Sequence, residues 1–443
     1  MNPHAHLRCR RCGEIRALDT LPAACPVCAA AGRPGWFEVE YDYDRIITGL
    51  HHRFWTERGR SIWQYAPLLP AGAEGAELSL GEGNTPLVLA RSIGARLGLG
   101  GLYLKNESVN PTWSHKDRCH AVSIAVARAF GYRRLVTSST GNHGASAAAY
   151  ASRAGVEALV LCPPETSPTL VHLIQGYGAR VIVTEWDARE EFGRWLVAHD
   201  GWYPATTMDP EFSFHPNPFG VEGYKTIAYE LVRDLGTVPD RIFVPCAGGD
   251  TLYGVWKGFE ELKRLGVIDR LPRMYGCQPA GANALELTLQ RGEDAAVVLE
   301  QPSSIATSVR ERSVGLHAVE VVRASQGGAP TATDQQILEA MQWLGAEGFV
   351  VEPASALPLA CVAGLAQSRE IGPAEIVVCL LTAAGIKWPE VLAQLKTPPA
   401  YVEPSVDALR VHLERHGSDS PQEAGTRGHP VDAGSVQDRV RSP

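Results

Sequence analysis

Two groups of residues in this 443-residue chain have the types and spacing for chemistry. The first centres on Lys116, inside the stretch Lys105-Asn-Glu-Ser-Val-Asn-Pro-Thr-Trp-Ser-His-Lys-Asp-Arg118. The apolar run Leu102 to Leu104 reads as a strand, and the Ala- and Val-rich run Ala121 to Ala129 reads as a helix starting near Lys116. A helix start exposes orphan N–H groups and a partial positive charge, so an amine there loses its proton more easily than a solvated one. An unprotonated amine is what Schiff-base chemistry with a carbonyl cofactor requires. A lone lysine at such a place is ordinarily an exposed helix residue, so its neighbours must decide. The second group is Cys9-x2-Cys12 and Cys25-x2-Cys28, with twelve residues between the pairs. Each pair can reach one tetrahedral ion, and four thiolates close its shell, which makes a structural zinc site rather than a catalytic one. A redox pair would need only one such motif, usually at a helix start.

The elements that must position Lys116 are short, apolar and alternating. Strands are expected at Leu102–Lys105, Leu135–Ser138, Ala158–Cys162, Arg180–Thr184, Ile242–Cys246, Met274–Gln278, Gly348–Glu352 and Ile376–Leu381. Helices are expected between them, over 142–154, 221–235, 251–265, 333–346 and 354–368. Almost wholly apolar strands separated by helices predict an α/β fold with parallel sheets covered on both faces. Residues 1–35 hold the cysteine cluster and little core material, which predicts a small zinc ribbon. After residue 403 the texture changes: one short helix is expected over Ser405–Arg415, then a Gly-, Ser-, Pro- and charge-rich tail to 443 with little to bury, read as disordered.

Bulk properties exclude some classes. The length calls for more than one core. A net charge of −8 argues against a protein whose main work is gripping nucleic acid, although Arg8, Arg10 and Arg11 in the ribbon are the kind of residues that could do so. The chain has no run of eighteen apolar residues and no basic start followed by an apolar stretch, so neither a membrane span nor a secretion signal is expected, and the default compartment is the cytoplasm. The six other cysteines are scattered through apolar segments and read as small buried hydrophobes.

The Lys116 stretch resembles the lysine segment of threonine synthases and their relatives among fold-type-II enzymes that use pyridoxal phosphate (PLP). Further stretches match in the family's order: Gly81-Glu-Gly-Asn-Thr-Pro-Leu87, Ser139-Thr-Gly-Asn-His-Gly144, Asn217-Pro-Phe-Gly-Val-Glu-Gly-Tyr-Lys-Thr226, Trp256-Lys-Gly258, Val351-Glu-Pro-Ala-Ser355 and Leu381-Thr-Ala-Ala-Gly385. The resemblance implies a catalytic region over 36–403 made of two doubly wound parallel-sheet domains, the smaller roughly within 105–220, with PLP in the cleft. It also implies a homodimer and a small amino-acid substrate.

By that resemblance Lys116 carries the cofactor as a Schiff base and moves protons. The glycine turn Ala247-Gly-Gly-Asp-Thr251 lies between a strand and a helix and is suited to a phosphate, with backbone N–H groups at Gly248 and Gly249, a hydroxyl at Thr251 and the helix start behind them. Thr382 corresponds to the family threonine that meets the pyridine nitrogen, and Asn142 to the residue that bonds the ring oxygen. Ser139, Thr140 and Gly141 are expected to hold the substrate carboxylate at a helix start.

Departures from the family are local. Trp113 stands for its glycine and His115 for its phenylalanine, and Ala247 to Thr251 replace a Gly-Asn-Ala-Gly-Asn turn. An indole in place of hydrogen should fill volume or force the loop outward. His115 adds a group that could titrate near neutral pH and bind a phosphate or carboxylate. Asp250 would repel a phosphate it faced, so it is expected to cap its helix with the side chain turned away. Asn142-His-Gly144 resembles serine and threonine dehydratases instead. The expected function is a PLP-dependent lyase or synthase acting on an amino acid with a leaving group at Cβ or Cγ. Alternatives are a β-elimination or β-replacement enzyme on serine, phosphoserine or acetylserine, and a non-catalytic PLP-binding or ribbon-mediated interaction protein. The departures point away from phosphohomoserine as the best substrate.

Overall fold

The computed structural model describes residues 1–416, apart from 20, 22–23, 33–34, 51, 140, 207–216, 293–294 and 396–398. The tail from 417 to 443, read above as disordered, lies outside the described residues. Two compact units are present, Met1–Leu395 and Lys396–Pro443, the second described only as a short segment and the helix Val406–His416. No helix among the described residues is long and apolar enough to cross a membrane.

Three sheets organise the first unit. The N-terminal one is antiparallel, ordered β2-β1-β3, from β1 (Ala5–Cys9), β2 (Ile15–Arg16) and β3 (Phe37–Tyr41). Its third strand lies beyond residue 35, because the alternation Phe37, Val39, Tyr41 turns a buried apolar face inward. The largest sheet is built from β4 (Leu87–Leu89), β5 (Gly101–Asn106), β10 (Arg241–Pro245), β11 (Arg273–Pro279), β12 (Thr331–Ala332) and β13 (Ile376–Leu381). Its order is β12-β11-β10-β13-β5-β4. The third is wholly parallel, β8-β7-β6-β9, from β6 (Arg134–Ser138), β7 (Glu157–Cys162), β8 (Arg180–Val183) and β9 (Tyr203–Pro204).

Two expectations about strands need correction. The largest sheet is not purely parallel, since β4 runs antiparallel to β5, with Leu87 opposite Lys105. Residues 90–100 between them are too few for the crossover that a parallel return needs. The run Gly348–Glu352 is not a strand either; only Val351 pairs, in a single bridge to Ala384. Gly348 (φ +94°) ends one helix and Glu352 caps the next, leaving no length for a ladder.

The Lys116–Ala129 helix is buried from Asp117 to Ala127, with no amphipathic stripe, because it packs between the Asn142–Ala154 and Gly220–Leu235 helices. Gly223 makes the second approach possible: a Cβ there would lie 1.8 Å from the Arg118 carbonyl oxygen. Gly258 does the same for the Asp250–Arg264 helix, where a Cβ would meet the Lys225 carbonyl at 2.3 Å. Two of the motif stretches thus contain glycines that set how closely helices pack.

Candidate active site

The segments that carry the predicted site residues each follow the C-terminal end of a strand. The Lys116 stretch follows β5, Thr382 follows β13 and the Ala247–Thr251 turn follows β10, three adjacent strands of the largest sheet; Ser139 follows β6 of the third sheet. Ligands in open α/β sheets bind beyond this end of the strands. Here His115, Lys116, Ser139, Asn142, Ala247 to Thr251 and Thr382 all line one cavity. Gly141 is not among the lining residues; its φ of +146° is open only to glycine, and a Cβ there would meet Leu170 at 2.4 Å. Thr140 lies outside the described residues.

Lys116 is half-buried, its Nζ 5.4 Å from the centre of the Tyr224 ring. Among the described residues no carboxylate comes within 4.0 Å of it. Burial pushes its pKa down, although Asp250, Glu352 and Glu311 attract it from a distance. An amine held in this way is more often unprotonated than a solvated lysine, the condition for attack on a carbonyl.

Around it the polar groups are ordered. Ser139 Oγ accepts from the N–H groups of Gly141 and Gly144, both at 2.9 Å, so it caps the Asn142–Ala154 helix and keeps its own proton to donate. Asn142 is held at both ends: its Nδ2 donates to Glu352 at 2.9 Å, and its Oδ1 accepts from the buried Lys387. Burial lowers Lys387 to about 8. The Thr382 hydroxyl meets Ser355 Oγ at 2.8 Å. In the glycine turn, Gly249 is the N-cap of a fifteen-residue helix, and the N–H groups of Gly248 and Gly249 have no partner among the described residues.

His115 behaves differently from expectation. Its ring is buried and stacked on Tyr224, and burial, reinforced by Lys116, pushes its pKa well below the ordinary value, away from a neutral-pH switch. Its Nδ1 lies 3.2 Å from the Thr382 carbonyl and must carry the proton, so Nε2 accepts from the Thr251 hydroxyl at 3.0 Å. The ring therefore braces Thr251 and Thr382, two threonines of the cavity wall. Asp250 does not cap its helix; Gly249 holds that position, and the carboxylate, lining the cavity, sits 3.0 Å from His317 Nε2. Trp113 adopts φ +59°, the region that favours glycine, and turns its indole outward at 42% exposure, leaving the cavity unfilled.

Sequence reasoning missed Cys119, His143, Arg189, Ser308, Glu311 and Glu352, which also line the cavity. Glu352 could have been found, since it lies in the Val351–Ser355 stretch. Arg189 and Glu311 sit in segments without any motif. Burial lifts the Glu311 carboxyl to about 7.

The residues present fit PLP: an unpaired half-buried amine for an aldehyde, a glycine turn with free N–H groups at a helix start for a phosphate, and a hydroxyl beyond a strand end for a ring nitrogen. At the end of β1, Cys9 and Cys28 sulfurs are 3.7 Å apart, Cys12 and Cys25 sulfurs 3.6 Å, and all four lie within 4.8 Å of one another. Arg10 is spent on Glu38, Glu260 and Glu320, and Arg8 on Glu40.

Comparison with known proteins bears on this arrangement. The family described as pyridoxal-phosphate dependent enzyme matches residues 78–383. A threonine synthase of Methanocaldococcus jannaschii is 33% identical over 91% of this chain and 98% of its own length. One of Mycobacterium tuberculosis is 37% identical over 79% of this chain and 94% of its own. Among solved structures, the processed threonine deaminase isoform 2 of Solanum lycopersicum superposes with a TM-score of 0.62 at 22% identity, covering 76% of this chain and 90% of that one, a likeness of fold. With a cavity whose groups fit the cofactor and a match across most of the sheets that build it, the chain belongs to the pyridoxal-phosphate dependent enzymes.

Proposed function

We propose that this enzyme eliminates or replaces a leaving group at Cβ or Cγ of an amino acid, in the manner of a threonine synthase, with Lys116 as its one catalytic amine. The observation that carries the reading is the unpaired Lys116 facing the Ser139–Asn142 helix start and the Ala247–Thr251 turn across one cavity. Bound there, PLP supplies an aldehyde for an amine and an electron-withdrawing ring that accepts charge from Cα. Lys116 would hold the aldehyde, then take and return protons at the substrate carbons. Gly248, Gly249 and Thr251 would hold the phosphate, Thr382 the ring nitrogen and Asn142 the ring oxygen. Ser139, with Thr140 and Gly141, would orient the substrate carboxylate by donating hydrogen bonds at a helix N-terminus. A smaller domain within 105–220 would carry the carboxylate side of the site, and the flanking larger one the phosphate side.

The substrate reading turns on Asp250. A carboxylate on the cavity wall disfavours a second dianion nearby. Phosphohomoserine should therefore be turned over more slowly than a substrate with a smaller or uncharged leaving group. Turnover of phosphohomoserine, phosphoserine, acetylserine, serine and threonine, compared side by side, tests this. A wide lead for phosphohomoserine would return the protein to plain threonine synthase chemistry.

The four N-terminal cysteines would hold one structural zinc, because a closed S4 set leaves no position for a substrate. Metal analysis should find one zinc at this site, lost in Cys25→Ser with the cofactor spectrum intact.

A further inference from the structure

The cavity wall beside Lys116 carries a thiol, Cys119, and an imidazole, His143, with a second imidazole, His120, against the first; the proposed chemistry uses none of them. Cys119 and His120 come from the Lys116–Ala129 helix, His143 from the Asn142–Ala154 helix. One donor atom of each lies within 4.8 Å of the other two. His120 Nε2 and His143 Nδ1 are 3.0 Å apart, with the rings nearly perpendicular at 85°. A tetrahedral zinc with bonds of ~2.0 Å spaces two nitrogen ligands by roughly 3.3 Å, so the rings are already close to the required separation. His120 Nδ1 is buried with no partner among the described residues, and it is the nitrogen that carries the ring's proton when Nε2 faces a metal. The sulfur has its room from Gly220, where a Cβ would come within 2.6 Å of it.

We propose that Cys119, His120 and His143 form a second metal site, for Zn²⁺ or another borderline divalent ion, with its fourth position open to the cavity. Two imidazoles and a thiolate select such ions over Mg²⁺ or Ca²⁺, which take oxygen ligands. Three protein ligands and an open position are the arrangement of a catalytic rather than a structural site. Cys119 and His143 line the cavity, so the open position faces the substrate and can take a carboxylate or leaving-group oxygen. Binding releases one proton, from the Cys119 thiol to solvent. Each imidazole coordinates through a lone pair and keeps its single proton on its other nitrogen.

The inference stands on these three side chains and does not depend on which amino acid is the substrate. It is tested by loading the full-length protein with Zn²⁺, desalting it and counting metal per chain. Wild type should hold one ion more than Cys119→Ser and one more than His143→Gln. The difference is read whatever the N-terminal cysteines bind. Loaded with Co²⁺, Cys25→Ser should keep visible d–d bands that Cys119→Ser/Cys25→Ser lacks. If His143→Gln does not fold, Cys119→Ser, which exchanges only sulfur for oxygen, decides alone. Equal metal content in wild type and Cys119→Ser overturns the site.

Discussion

Lys105 and Lys116 come from one stretch of the chain and sit in opposite surroundings. Lys105 is fully buried and donates to Glu230 at 2.6 Å and to the Thr85 carbonyl at 2.8 Å. Beside it Arg118, also fully buried, meets Glu107 and Glu230 each through two nitrogens, at 2.6–2.8 Å, and adds Thr226 and Thr85. Two cations and two carboxylates balance, and every guanidinium donor has a partner. Lys116 lies between these residues in sequence and has no such partner. Burial lowers the pKa of both lysines, but only Lys105 has a carboxylate in contact to hold its proton. A buried charge that is fully paired is fixed and inert. A half-buried amine with no partner is free to react. The stretch thus ties four of its charged residues, Lys105, Glu107, Asp117 and Arg118, into hydrogen bonds and leaves the fifth, Lys116, without a carboxylate in contact.

The comparison breaks most visibly at the reactive end. Lys116→Ala should lower turnover by ~10⁴-fold or more and abolish the visible absorption of the bound cofactor, since among the described residues no other amine lines the cavity. Its unfolding free energy in denaturant should stay within about 1 kcal/mol of wild type when both are measured free of cofactor. Residual turnover near the wild-type rate would move the reactive amine elsewhere.

At the paired end the effect is on stability. Glu230→Gln strands Arg118 and part of Lys105 without their counter-charge and should cost about 3–5 kcal/mol. Burial raises the Glu230 pKa, but Arg118 and Lys105 outweigh it and hold the carboxyl well below the usual range. Its stabilisation is therefore present above the unfolded pKa of about 4.3 and is lost as pH falls toward the folded value. Acid unfolding curves should show a shallower loss of stability in Glu230→Gln than in wild type. Equal slopes would mean that the cluster carries none of the acid sensitivity.

Trp113, between the two lysines, sharpens the contrast from the other side. Trp113→Gly removes an exposed indole and relieves a left-handed backbone, while glycine adds chain entropy to the unfolded state. These offset each other, so stability should change by less than about 1 kcal/mol and the substrate ranking should not change. A reordered ranking would put the indole over the cavity mouth.

Much of the arrangement could be read from residue order alone. Apolar runs such as Ile242–Cys246 and Ile376–Leu381 became β10 and β13, and the 142–154 helix has the bounds its small residues and following Gly155 imply. β4, β9 and β12 were missed because two or three residues carry too little periodicity to be seen. In the site, the residues inside motif stretches were legible. Arg189, Glu311 and His143's partner His120 were not, since nothing local marks a side chain whose role depends on what folds against it.

The sequence by itself determined the candidate lysine, the glycine turn, the four cysteines and the alternation that makes parallel sheets, because each depends on residue type and short spacing. Only the tertiary structure decided which way the departures face. Trp113 points outward, Asp250 inward and His115 into a brace between Thr382 and Thr251, because burial, helix packing and cross-strand neighbours choose the rotamer. It also decided which charges were paired. Glu107 and Glu230 are far apart in the chain, and they meet on one guanidinium because Gly223 lets two helices come close enough.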